Sequence, residues 1–195
     1  MTALHQAAHY GQIDVVKSLV DNGADITAKD KNRSTALHFA TEGGHLEVVQ
    51  FLLDKKVDVN AKNNQEWTPL HYAAEHGHLE GVKFLVDNEA DITSKTIDGE
   101  TALHLAAYGG HLEVAKLLFS KGANLATKDK YGSISLHLAA EGRHLDVLQF
   151  LLDKKVDVNA KNNKEWTALH YAVIKGHLEV AKFLVDNKAD ITSKT

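Results

Sequence analysis

Apolar residues fall along this chain in short, regularly spaced clusters. In one kind of cluster, Leu70, Ala73 and Ala74 stand at i, i+3 and i+4, the spacing of a short helix with a narrow buried stripe. Thr68 precedes it as a capping residue, and Pro69 occupies the first helical position, where a missing N–H costs nothing. Gly77 is placed to end this helix. A second cluster follows, Leu79, Val82, Phe84, Leu85 and Val86, and predicts a helix over Leu79 to Val86. Its acidic Glu80 sits in the first turn, where the helix dipole favours a negative charge. The polar stretch from Asp91 to Lys95 then fits the arm of a hairpin. Two helices this short cannot bury their own apolar faces, so neighbouring units must stack to complete a core.

The clusters recur. Leu-His pairs end at His5, His38, His71, His104, His137 and His170, always 33 residues apart. Each is preceded by a two-residue start: Thr2-Ala3, Thr35-Ala36, Thr68-Pro69, Thr101-Ala102, Ile134-Ser135 and Thr167-Ala168. Blocks such as Gly44-His45-Leu46-Glu47-Val48 and Gly110-His111-Leu112-Glu113-Val114 follow, and Val57-Asp58-Val59-Asn60-Ala61 represents the closing block. A longer period lies on top: residues 51–96 and 150–195 share 38 of 46 positions at an offset of 99. Duplication of a three-unit cassette accounts for it.

These Thr-Pro-Leu-His-like and Gly-His-Leu-Glu-Val blocks resemble the ankyrin repeat across essentially the whole chain. The resemblance implies an all-α repeat solenoid in which each unit is a helix-turn-helix with a projecting β-hairpin loop. The units are expected at about 1–29, 30–62, 63–95, 96–128, 129–161 and 162–195, as a single domain over 1–195. Packed helices lie roughly 10 Å apart, so six units should make a curved rod.

Composition first invites a different reading. The chain has 195 residues, 13 His, one Pro and no Cys. Absence of Cys excludes disulfides, thiolate metal sites and a thiol nucleophile. Thirteen histidines suggest metal ligands or general bases. Eleven of them, however, follow the repeat: the six Leu-His residues plus His45, His78, His111, His144 and His177. The resemblance implies that these rings bond backbone groups of neighbouring turns. Only His9 and His76 fall off the pattern, and the triplet His76-Gly77-His78 has no third ligand nearby in sequence. Zinc-protease, nucleophile-elbow, P-loop and dinucleotide signatures are absent. Asp25, Asp58, Asp91 and Asp190 recur with the repeat and read as turn acceptors. No catalysis, cofactor or metal is therefore expected. A net charge of −4 argues against nucleic acid as partner, and the apolar stretches are too short for membrane insertion. The Lys- and Asn-rich text resembles ankyrin proteins of intracellular bacteria. A cytoplasmic location is expected, in host cytosol for such a source.

The partner expected is a protein, bound on the concave face that the resemblance places at the hairpin tips and first-helix ends. Positions there that differ between units are the candidates: Tyr10, Lys31, Asn32, Glu42, Gln65, Trp67, Glu75, His76, Ile97, Asp98, Tyr108, Lys130, Tyr131, Glu141, Trp166 and Ile174. Large aromatic residues bury much area with few rotors and concentrate at binding hot spots. Trp67 and Trp166 read equally well as packing residues, whereas Tyr72 and Tyr171 replace a core position. In animal relatives, the resemblance implies, Asn residues such as Asn60 and Asn159 can be hydroxylated.

Departures from the repeat carry their own expectations. Arg33, Glu66 and Glu165 stand where the hairpin has Gly99 or Gly132, and Lys56, Glu89, Lys155 and Lys188 stand where Gly23 or Gly122 follows the second helix. Either these turns differ or they carry strain. Ile134 loses the capping Thr, and Arg143 replaces the inter-helix Gly, so the fifth unit should be the loosest internal one. Leu4, Ala7 and Ala8 are expected to lack a preceding unit to cover them, and Phe183, Leu184 and Val185 a following one. These uncovered ends suggest a piece of a longer array, or end-to-end self-association. Alternatives to a binding scaffold are thus a structural spacer or self-associating array, and the repeat portion of a larger effector or toxin-like protein.

Overall fold

The computed structural model describes residues 1–193. Two compact units divide the chain, Met1–Ile97 and Asp98–Thr195. The first holds α1 (Ala3–His9), α2 (Ile13–Asp21), α3 (Ala36–Glu42), α4 (Leu46–Asp54), α5 (Pro69–Glu75) and α6 (Leu79–Asp87). The second holds α7 (Ala102–Gly109), α8 (Leu112–Ser120), α9 (Ser135–Glu141), α10 (Leu145–Asp153), α11 (Ala168–Ile174) and α12 (Leu178–Asp186). Each unit is an all-α solenoid of three helix pairs. First helices pack in one layer, α1 on α3 on α5 and α7 on α9 on α11, and each also packs on the second helix of its own pair.

Residue size explains the layering. Ala40, Ala73 and Ala74 in one unit, and Ala106, Ala107, Ala139 and Ala140 in the other, are fully buried. Their small side chains let neighbouring first helices approach closely. The second helices from α4 to α12 add Leu52, Leu85, Leu118, Leu151 and Leu184, all 0% exposed. Burying each contributes about 2 kcal/mol relative to leaving it in water.

The helix starts use the histidines. At α3, the Thr35 backbone N–H donates to His38 Nδ1 at 3.1 Å, and the Thr35 hydroxyl lies 2.9 Å from the same nitrogen. This is a capping box in which an imidazole does the work usually given to Glu. A backbone N–H can only donate, so Nδ1 accepts and the neutral ring carries its proton on Nε2. That proton goes to the Trp67 carbonyl at 3.1 Å. The same arrangement links His5 to Ala28, His71 to Ser94 and His104 to Thr127.

The expected hairpins take a different form. No strand occurs among the described residues. Four of the loops close instead as a tight turn around an Asx side chain, that of Asp30, Asn63, Asp129 or Asn162. Asn63 Oδ1 accepts from Gln65 N at 2.9 Å and Trp67 N at 3.0 Å, using N–H groups that a ladder would need. Successive tips are joined by single backbone bonds, such as Asn64 N to Asn32 O at 2.8 Å and Asn163 N to Tyr131 O at 2.9 Å.

The non-glycine turns keep the left-handed conformation: Arg33, Lys56, Glu66, Glu89, Arg143, Lys155, Glu165 and Lys188 all have φ between 57 and 69°. Stability is therefore given up, at about 1 kcal/mol each. One expectation about the ends fails. Leu4, Ala7 and Ala8 are only 3%, 3% and 0% exposed, because their stripe faces α2 and α3 rather than a preceding unit. Leu184 is likewise buried, Phe183 is half-buried, and Val185 alone of that trio is exposed.

Candidate functional site

In the first unit the ends of the first helices form a row. Tyr10 follows α1, Glu42 ends α3, and Glu75 and His76 end α5. His9 Nδ1 lies 3.9 Å from Glu42 and His76 Nδ1 lies 3.8 Å from Glu75, distances too long for hydrogen bonds but short enough for ion pairs when the rings are protonated. Burial pushes the Glu75 carboxyl upward; His76 opposes that shift and the Glu42 charge adds to it. The rings of His76 and His78 stack at 5.8 Å. His76 Nδ1 bonds the Tyr72 carbonyl and His78 Nε2 the Glu42 carbonyl, so both rings are held by backbone.

The loop tips form a second row beside the first. Lys31, Asn32 and Gln65 are exposed there. Trp67 is not: it packs at 4.9 Å on Tyr72, whose hydroxyl accepts from Asn63 Nδ2 at 3.1 Å. Ile97, 59% exposed, is joined to this row by its N–H bond to the Gln65 carbonyl.

The second unit repeats both rows with other chemistry. Tyr108, Glu141 and Ile174 mark its helix ends, and Glu141 pairs with Lys175 at 2.9 Å, which raises the Lys175 ammonium pKa. At the tips, Lys130 pairs with Asp98 and stands 5.0 Å over the Tyr131 ring. Trp166 packs on Tyr171 as Trp67 does on Tyr72, with ring centres 5.6 Å apart.

The histidines beyond the helix starts are also structural. His45 Nε2 bonds the His9 carbonyl at 2.8 Å and His177 Nε2 the Glu141 carbonyl at 3.0 Å. A Cβ on Gly110 would come within 2.2 Å of the His144 ring, so the repeated Gly makes room for the repeated His. Asp25 Oδ1 accepts from the Thr27 hydroxyl and N–H. The hydroxyl bond is the main cause holding the Asp25, Asp91 and Asp190 carboxyls below the usual range. Asn60 bridges loops by donating to Glu89 O and accepting from Asp91 N. Among the described residues no group of three or more His, Cys, Asp or Glu could hold a metal ion.

A family model described as Ankyrin repeats (3 copies) matches residues 4–96, 89–162 and 127–195. The chain belongs to the ankyrin-repeat family. No curated protein is a significant match. Ankyrin repeats are generally protein–protein interaction modules and typically non-catalytic, and no helix among the described residues is long and apolar enough to cross a membrane. Within this ankyrin array, the candidate positions divide by exposure. Tyr10, Tyr108 and Tyr131 are 68%, 51% and 53% exposed, and Ile174 is 58% exposed. Sequence reasoning missed Val173, which is 64% exposed. Its signal was present: Ala8, Thr41, Ala74, Ala107 and Ala140 fill the same position in the other repeats.

Proposed function

We propose that this ankyrin-repeat chain is a non-catalytic scaffold that binds a protein partner along the loop tips and first-helix ends. The carrying observation is that the exposed large residues on these rows, Tyr10, Ile97, Tyr108, Tyr131 and Ile174, stand where the repeat is least uniform. Exposed tyrosines present apolar area and a polar tip at small entropic cost. The packed Trp67 and Trp166 support the rows from below. The test compares partner capture by the wild-type chain and by a Tyr10→Ala/Tyr108→Ala/Tyr131→Ala variant of unchanged circular dichroism. Capture should fall at least tenfold; undiminished capture would reject the assignment.

A second reading, association between copies, rests on the last repeat. Leu169, Val173, Ala181, Val185 and Ile191 line an open groove of about 510 Å³ there, and Leu178 is 64% exposed. Light scattering that rises with concentration, and falls on Val185→Lys/Ile191→Lys, would favour it.

A further inference from the structure

The 99-residue duplication places the same groove in both units, and the two copies have diverged in one direction. In the first unit the groove is lined by Ile26, Thr27, Lys29, Thr35, Val57 and Asp58 and holds about 220 Å³. In the second unit it lies between the loop after α8 and the loop after α10 and holds about 410 Å³. Its lining includes Phe119, Asn124, Ala126, Ile134, Lys154 and Lys155.

Ile26 to Leu125 is a neutral exchange of isomers, and the four others make the lining more apolar, enlarge its floor or remove negative charge. Thr27 corresponds to Ala126, Thr35 to Ile134, Val20 to Phe119 and Asp25 to Asn124. The last exchange is not required by the turn: Asn124 Oδ1 accepts from Ala126 N at 2.9 Å, as Asp25 Oδ1 does from Thr27 N at 2.9 Å. Ile134 is a cost to the fold. It has no hydroxyl for the capping box, and only its N–H reaches His137 Nδ1, at 3.1 Å. The repeat thus gives up a cap where an apolar residue floors the groove.

The rim is basic. Lys29, Lys55, Lys56 and Asp58 of the first copy correspond to Lys128, Lys154, Lys155 and Asp157 of the second, so the lysines are common to both and the charge difference is the exchange of Asp25 for Asn124. In the second copy these four residues line the groove with an excess of two positive charges. Lys154 holds its ammonium 5.3 Å over the Phe119 ring, so positive charge sits at the mouth of the apolar floor. Phe119 meets Phe150 edge-on at 5.9 Å, which fixes the ring that forms one wall.

We propose that the groove between the loops after α8 and α10 binds an acidic segment of a protein partner that carries a large apolar side chain. The apolar residue enters against Phe119 and Ile134, and flanking carboxylates meet Lys128, Lys154 and Lys155. Opposite charge at the rim steers the segment and fixes its register, while the buried side chain supplies most of the affinity. This groove is separate from the loop tips and first-helix ends, so it stands or falls independently of the face proposed above.

The test titrates the ¹⁵N-labelled chain with a glutamate-rich twelve-residue peptide bearing one central phenylalanine. Amides of Phe119 to Lys128 and Lys154 to Ala160 should shift, and those of Val20 to Lys29 and Lys55 to Ala61 should not. Affinity should drop at least tenfold in Lys154→Glu/Lys155→Glu and stay unchanged in the surface control Lys182→Glu/Lys188→Glu. Ile134→Thr should weaken binding about threefold or more while raising the thermal midpoint; a merely structural Ile134 would raise the midpoint and leave binding alone. Equal shifts at both grooves, no shift at either, or binding that survives the charge reversal would overturn the proposal. So would groove shifts produced by laurate or a thymidine oligonucleotide but not by the peptide.

Discussion

At the start of α3, Thr35 closes on His38 with a hydroxyl and a backbone N–H; at the start of α9, ninety-nine positions on, Ile134 closes on His137 with the N–H alone. Between the two helices of the pair, the second repeat has Gly44 at φ 71° and the fifth has Arg143 at φ 66°. The backbone path is the same in both copies, so geometry is set by the stack and not by the local residue. What differs is the cost. The fifth repeat holds a helix start without its cap and a left-handed turn without its glycine. Its helix start also lines the enlarged form of the groove, which links the loss of local fitness to a surface that the first copy has only in smaller form.

The largest test of this pair is acid. Burial lowers the His38 pKa from 6.5 to about 4, and burial lowers that of His137 too. The folded state therefore prefers the neutral ring. The resulting stability is complete above pH 6.5 and is lost as pH falls toward 4, by about 3 kcal/mol for His38. Urea midpoints at pH 7.5 and 4.5 should show it, and His38→Gln should flatten the dependence more than a surface change such as His76→Gln. An unchanged midpoint across that range would contradict a neutral, backbone-bonded ring.

Next in size is Gly44→Arg, which writes the fifth repeat's turn into the second. A Cβ there would come within 2.6 Å of the His78 ring, and the conformation is left-handed. A loss of about 2 kcal/mol is expected in urea unfolding. Equal stability would show that Arg143 costs its own repeat nothing.

Ile134→Thr restores the cap and should add about 1 kcal/mol, or roughly 3 °C in melting midpoint for a chain of this size. Native-state hydrogen exchange makes the same comparison without mutation: amides of α9 and α10 should exchange faster than those of α5 and α6. Equal protection would remove the fifth repeat's claim to be the looser copy. The smallest effect is expected from Lys155→Gly, about 0.5 kcal/mol of gain, since relief of the left-handed strain is partly offset by added freedom in the unfolded chain.

Much of this was legible in the residues. The 33-residue spacing of the Leu-His pairs located every first helix, and Pro69 and Gly77 bracketed α5 to within two residues. Histidine recurrence identified structural rather than chemical roles, since a ligand cluster has no reason to repeat at the period of the fold. The loop tips were less legible. Trp67 and Tyr131 are both large aromatic residues on a tip, yet one lies against Tyr72 and the other is 53% exposed. That outcome depends on what the next helix offers, which no local pattern records. The groove of the second unit was not legible, because its signal, Phe119 with Asn124 and Ile134, is scattered over three segments.

The residues by themselves determined the repeat, the helix pairs, the capping threonines and the family, because each follows from short-range spacing and side-chain type. Tertiary structure decided three things. It held eight non-glycine residues in left-handed turns, since stacking leaves the chain no other path. It turned Leu4, Ala7 and Ala8 inward, since α1 is covered by the helices that follow it. It gathered Phe119, Ile134 and the lysines around one opening, since only the packing of successive repeats brings a second helix, a helix start and the following loop into contact.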